Sequence, residues 1–197
     1  MKKTLFILLF LFAPILKAQE TLVDSYSESN YDTDLALYSS NRNDHGQSFV
    51  GSGIPLTSAK FYLKKVGSPT GNCSARLYVG AGGATLTDPV SATSGTINVS
   101  TLSTSITLVA FTFAGTFTPV NGTVYTITCH YEGGDVSNYI VVGADNSSPT
   151  DNGVCGYCNA DRQWKTWTWD TIFYVYGTAP AGGTTKHDKP PIIWISQ

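Results

Sequence analysis

Apolar and polar residues alternate along this chain in short runs, and the period is two. In SAKFYLKKVG (58–67), Ala59, Phe61 and Leu63 fall on one side while Lys60, Tyr62 and Lys64 fall on the other, the pattern of a half-buried antiparallel strand. CSARLYVG (73–80) repeats it with Cys73, Ala75, Leu77 and Val79 inward, and Gly67, Pro69 and Gly71 supply a turn between the two runs. Further strands are predicted in GTINVST, in ITLVAFTFAG with Leu108, Ala110 and Phe113 toward the core, and in TVYTITCHYEG, NYIVVGAD and TWDTIFYVYG. In TVYTITCHY, Tyr125, Ile127 and Cys129 share a face, so Cys129 points inward as Cys73 does. No segment after residue 18 sustains the i, i+3, i+4, i+7 spacing of an amphipathic helix. Parallel strands need crossover helices, and there is no sequence for them. The prediction is an all-β fold: a single antiparallel β-sandwich, jelly-roll-like, over residues 19–177.

Two segments break this pattern. At the start, Lys2 and Lys3 precede an apolar run over 5–12 that resumes at Ile15 and Leu16. That run is shorter than the roughly 20 residues a membrane-spanning helix needs, and Leu16-Lys17-Ala18 offers a small residue at a cleavable position. Residues 1–18 therefore read as a signal peptide cleaved after Ala18; the rival, a retained anchor, fits the short span and Pro14 less well. Export to the extracellular space or the cell surface follows, with no membrane association after cleavage. At the other end, 178–197 forms a Pro- and Gly-rich linker with an apolar tail at Ile192, Ile193, Trp194 and Ile195. An exposed tail of this kind either docks on its own sheet or joins a neighbouring copy, so self-association through it is one expectation.

Composition changes the picture in two respects. Charged residues make up 13% of the chain, about half the usual share, so hydroxyls and amides must solvate the surface. The formal charge is −2 before loss of Lys2, Lys3 and Lys17, so the exported part is acidic and carries no electrostatic footprint for nucleic acid or anionic lipid. The four cysteines, Cys73, Cys129, Cys155 and Cys158, suit an oxidising compartment, with Cys73–Cys129 and Cys155–Cys158 as the favoured disulfides. A redox CxxC and a four-thiolate zinc site are the alternatives. The CGYC lies in a polar, Gly-rich stretch, which weakens the first, and its pairing with two isolated cysteines weakens the second.

Candidate chemistry is sparse. Glu28 and Glu132 sit in no motif that would pair carboxylates across a glycosidic bond; His45, His130 and His187 are scattered, and no G-x-S-x-G elbow occurs. No enzyme is predicted. Binding has more support: Trp164, Trp167 and Trp169 crowd into QWKTWTWD, and aromatic faces stack on the apolar faces of sugar rings, although tryptophans here also suit closing the end of the core. Tyr157 is a candidate neighbour, as are Tyr131 and Tyr139. In GADNSSPTDNG, Asp145, Asn146 and Asp151 are oxygen ligands of the type calcium takes, with Asp32, Asp34 and Asp44 as further contributors; turn chemistry alone also explains such a loop. No other cofactor is expected.

The runs DSYSESNYDTDLALYS, GQSFVGSG, LTSAKFYLKKVGSPTGNCSARLY, VAFTFAGTFTPVNGTVYTI and NYIVVGADNSSP, followed by a Trp-bearing last strand, resemble the choice-of-anchor type of β-sandwich module found in secreted bacterial surface proteins and phage structural proteins, similar in layout to jelly-roll carbohydrate-binding modules. The resemblance spans about residues 24–177 and implies a fold more than a function. The implied function is a non-catalytic binding or adhesive module with a glycan or surface partner. The alternative is a structural subunit of an extracellular assembly, a virion or filament component.

Overall fold

The protein is seen in a computed structural model that describes residues 20–83, 90–114 and 117–178; the expected signal peptide, and all of the expected tail except Thr178, lie outside these residues. Among the described residues fourteen strands follow in chain order: β1 (Glu20–Tyr26), β2 (Thr33–Leu37), β3 (Arg42–Val50), β4 (Leu56–Val66), β5 (Asn72–Val79), β6 (Ala92–Thr93), β7 (Ile97–Asn98), β8 (Thr107–Thr112), β9 (Val124–His130), β10 (Tyr139–Asp145), β11 (Cys155–Asn159), β12 (Trp164–Trp167), β13 (Asp170–Thr171) and β14 (Phe173–Thr178). Among the described residues the only helical elements are single 3-10 turns, and no helix is long and apolar enough to cross a membrane.

All pairings are antiparallel, and they form two sheets. The first runs β1-β14-β4-β10-β13, with β2 also on β10 and β8 also on β4. The second runs β12-β11-β3-β9-β5-β6, with β7 also on β5. Their inner faces meet in one apolar core, and the predicted β-sandwich is the fold. From the first sheet come Ala59, Phe61, Leu63, Phe111, Ile140, Val142, Phe173 and Val175; from the second come Phe49, Cys73, Ala75, Leu77, Tyr125, Ile127 and Cys129. The alternation predicted in β4, β5 and β9 therefore holds, and β5 and β9 are neighbours, with Ala75 opposite Cys129. Val79 is the exception, half exposed where β5 leaves the sheet.

Strand β8 corrects the predicted facing. Leu108 and Ala110 point to solvent, and Phe111 and Phe113 are buried with Val109 packed against the core. The run ITLVAFTFAG is apolar at nearly every position and so carries no parity; only its pairing, with Phe111 opposite Ala59, fixes which side faces in.

Strand β3 carries the second sheet without an apolar pattern. Its residues Asp44 to Phe49 are buried on both faces. His45, Gln47 and Phe49 face the core, while Asp44, Gly46 and Ser48 lie beneath other chain segments. Gly46 is required by close approach: a Cβ there would stand 1.8 Å from the Ile127 carbonyl oxygen of β9.

An aromatic edge and a buried polar row

The aromatic residues singled out from the sequence fall at the β11–β12 edge of the second sheet, divided between its two faces. Cys155 lies opposite Trp167, Tyr157 opposite Lys165, and Cys158 opposite Trp164. Alternation then puts Tyr157 and Trp167 on the inner side and Trp164 on the outer side. Trp169, in the bend leading to β13, folds back so that its ring centroid is 4.4 Å from that of Trp167, and the Tyr157 centroid lies 4.6 Å from that of Trp167. Arg42, at the start of β3, lays its guanidinium 4.5 Å from the Trp167 centroid and 5.3 Å from that of Tyr157. All four side chains are only partly covered. Three rings, tilted by 47° and 46° across Trp167, and a planar cation thus form one partly exposed cluster that offers apolar ring area with hydrogen-bond donors beside it. Of the other candidates, Tyr139 packs against Tyr38 at 5.9 Å, and Tyr131 is buried with its hydroxyl on the Thr70 carbonyl.

The outer face of the same sheet holds a buried polar row. Trp164, Cys158, Asp44, His130 and Ser74 stand opposite one another across β12, β11, β3, β9 and β5. Asp44 accepts from Thr128 Oγ1 at 2.9 Å and from the Tyr78 hydroxyl at 3.3 Å, and its Oδ2 lies 2.9 Å from His130 Nδ1. His130 Nε2 is 3.6 Å from Glu132, which also lies 3.7 Å from Arg162. Trp164 meets the Tyr78 ring edge-on at 4.7 Å. The pocket between them measures about 30 Å³, room for one water molecule. Cys158 stands across Asp44 from His130, so the imidazole does not lie between carboxylate and thiol as nucleophile activation requires.

All four cysteines are buried free thiols. Cys73 and Cys129 touch across β5 and β9; that contact, then burial, holds the Cys129 thiol well above its ordinary range. The expected Cys155–Cys158 pairing is corrected by β11. Residues three apart on one strand point to opposite faces and lie about 10 Å apart, beyond a disulfide's reach. Cys155 instead turns inward, with its Sγ 3.7 Å from His45 Nε2, and burial pushes its thiol up to about 12.

The carboxylates considered for calcium are occupied by donors from the chain. Asp145 accepts from the Tyr26 hydroxyl at 2.6 Å and from the Ser147 and Ser148 amides at 3.0 Å. Asp151 accepts from Gln47 Nε2 at 2.9 Å and the Gly153 amide at 2.6 Å. Asn146 is exposed, and its amide caps Asp32 at 2.9 Å. Asp34 pairs with Lys64 at 2.6 Å, away from Asp44 in the buried row. Among the described residues, no three His, Cys, Asp or Glu side chains are grouped to hold a metal ion.

Sequence reasoning left out Arg42 and Tyr78, and the joint placement of Asp44 and His130. The missing signal was β3 itself, whose RNDHGQSFV carries no apolar alternation. No protein-family model matches the chain, and no curated protein or solved structure matches it either.

Proposed function

We propose that this protein is an exported, non-catalytic glycan-binding module acting outside the cell or at its surface, with the Tyr157–Trp167–Trp169–Arg42 surface as the sugar platform. The observation that carries the reading is the partial exposure of that cluster. Tyr157 and Trp169, with ring centroids 4.6 and 4.4 Å from that of Trp167, stay partly open to solvent together with it although the core next to them is closed. The apolar ring area left open has a hydration cost that a ligand with an apolar face would offset by covering it. Sugar rings offer such a face, and the Arg42 guanidinium beside it suits ring hydroxyls as acceptors. Export rests on the Lys2/Lys3 and apolar leader pattern.

The test uses the division of the tryptophans between two faces. Binding to a polysaccharide or glycan panel is expected to fall at least tenfold in Trp167→Ala and Tyr157→Ala and to persist in Trp164→Ala. Binding that survives Trp167→Ala, or that is lost equally in Trp164→Ala, would overturn the assignment.

A further inference from the structure

A cavity of about 360 Å³ lies away from the aromatic edge, between β1, the end of β3, the start of β9 and the loop before β11. That size falls within the roughly 300–1,000 Å³ of small-molecule sites. Two acidic residues line it, Asp24 from β1 and Asp151 from the loop, and no Lys, Arg or His is among its described lining. Asp24 Oδ1 takes the Ser25 amide at 2.8 Å, and Asp151 accepts from Gln47 Nε2 and the Gly153 amide through its Oδ1. Among the described residues, no hydrogen bond or ion pair reaches Oδ2 of either, and neither side chain joins a salt bridge. Phe49 is buried beneath, and the rim is aliphatic: Val50, 56% exposed, stands opposite Val124, 36% exposed, across β3 and β9.

From this cavity we infer a binding site for a small alkylammonium ligand, a primary amine on a short apolar body, with the ammonium between Asp24 and Asp151 and the alkyl chain over Val50 and Val124. Charge complementarity selects the sign: two uncompensated carboxylates in a concave, partly apolar site raise the local concentration of cations. Its walls select the class. A divalent ion prefers several converging charged oxygen ligands, and no three His, Cys, Asp or Glu side chains are grouped here among the described residues. A ligand with an apolar part would cover the valines that an ion leaves wet. Burial, with the charge of Asp151 adding to it, raises the Asp24 carboxyl, as expected of an acid lacking a cationic partner.

The experiment is calorimetric titration of the full chain with n-hexylammonium at low salt, beside 1-hexanol, hexanoate and calcium. Hexylammonium is expected to bind, hexanol at least tenfold more weakly, and hexanoate not measurably. Asp24→Asn is expected to weaken hexylammonium at least tenfold. Val50→Lys, a change at an exposed position, is expected to abolish binding by placing an ammonium of the chain's own at the site. Trp167→Ala should leave this binding unchanged, so the test is independent of the glycan reading. Hexanol equal to hexylammonium, calcium that displaces the amine at equal concentration, unaltered affinity in a folded Asp24→Asn, or no binding at millimolar hexylammonium would each overturn the proposal.

Discussion

His45 is the residue whose chemistry the fold alters most. It is fully buried, with Nε2 3.1 Å from Thr171 Oγ1, and burial foremost, then the nearby Arg42 charge, pushes its imidazole down to about 3. An unfolded histidine titrates near 6.5. The native ring therefore stays neutral while the unfolded ring takes a proton, and the stability associated with neutral His45 is complete above pH 6.5. It falls by about 1.4 kcal/mol per pH unit as pH drops from 6.5 toward 3. The raised carboxyls of Asp24 and Asp170, shifted mainly by burial, act oppositely: their charged forms weaken the fold at neutral pH, and that penalty is relieved as pH falls through their raised values. The difference between wild type and His45→Gln isolates the histidine. Urea unfolding at pH 7.5, 6 and 5 should give a steeper acid-side loss in wild type, and equal slopes would remove His45 from the account. The thiols give a second residue-scale prediction. Where the protein is oxidised, Cys73–Cys129 is the pair in contact, so peptide mapping without reduction should join those two and leave Cys155 and Cys158 alkylated. A cross-link between Cys155 and Cys158 would contradict the strand that separates them.

Among the strands, β3 explains both what the sequence disclosed and what it concealed. Strands β4 and β14 were legible because one face is apolar and the other reaches solvent, and β5 and β9 because their covered outer faces carry polar residues, Ser74 and Arg76 on one and Thr126 and Thr128 on the other, against an apolar inner face; a difference in polarity between the two faces is the condition under which alternation appears. That condition fails for β3, and β11 went unread as well. The chain around Gly82 lies over the outer face of the second sheet, so close that a Cβ on Gly156 would stand 3.2 Å from the Gly82 Cα. With both faces covered, polar residues hold these strands in place through one another rather than through water. Asp44 ties β3 to β9 and β5 through Thr128, His130 and Tyr78. Removing it leaves buried donors without an acceptor, so Asp44→Ala is expected to destabilise by about 3–5 kcal/mol, read as a lower urea midpoint with the slope unchanged. An effect below about 1 kcal/mol would mean that the row is not load-sharing. Gly46→Ala should cost about 1–3 kcal/mol through the collision with the Ile127 carbonyl, with β3 or β9 displaced to admit the methyl group. The site suffered from the same blindness. Its tryptophans stood out by composition, but Arg42 reaches Trp167 only because β3 lies beside β11, a pairing across more than a hundred residues that no local pattern announces.

Taken as a whole, the sandwich is closed by strands from opposite ends of the described chain. Strand β1 pairs with β14 from Glu20 opposite Thr178 to Tyr26 opposite Phe173, and β14 in turn pairs with β4. The β1–β14 contact must bring together almost the full length of the domain, and loop-closure entropy rises with the logarithm of that length. Joining Thr178 to Glu20 by a linker of about six Gly and Ser residues makes the contact local, saving on the order of 3 kcal/mol of closure entropy. Opening the chain between Thr104 and Ser105, in the exposed turn before β8, breaks no strand and strands no buried backbone group. Such a permutant, built from residues 20–178 alone, is expected to reach the same sandwich, with near-UV circular dichroism and Trp167-dependent binding retained. Its folding limb should speed up if β1 docks before the transition state; otherwise the gain should appear in the unfolding limb. A permutant that expands or loses its near-UV signal would show that residues outside 20–178 hold the sheets together. The closure of β14 between β1 and β4 would then not be what completes the fold.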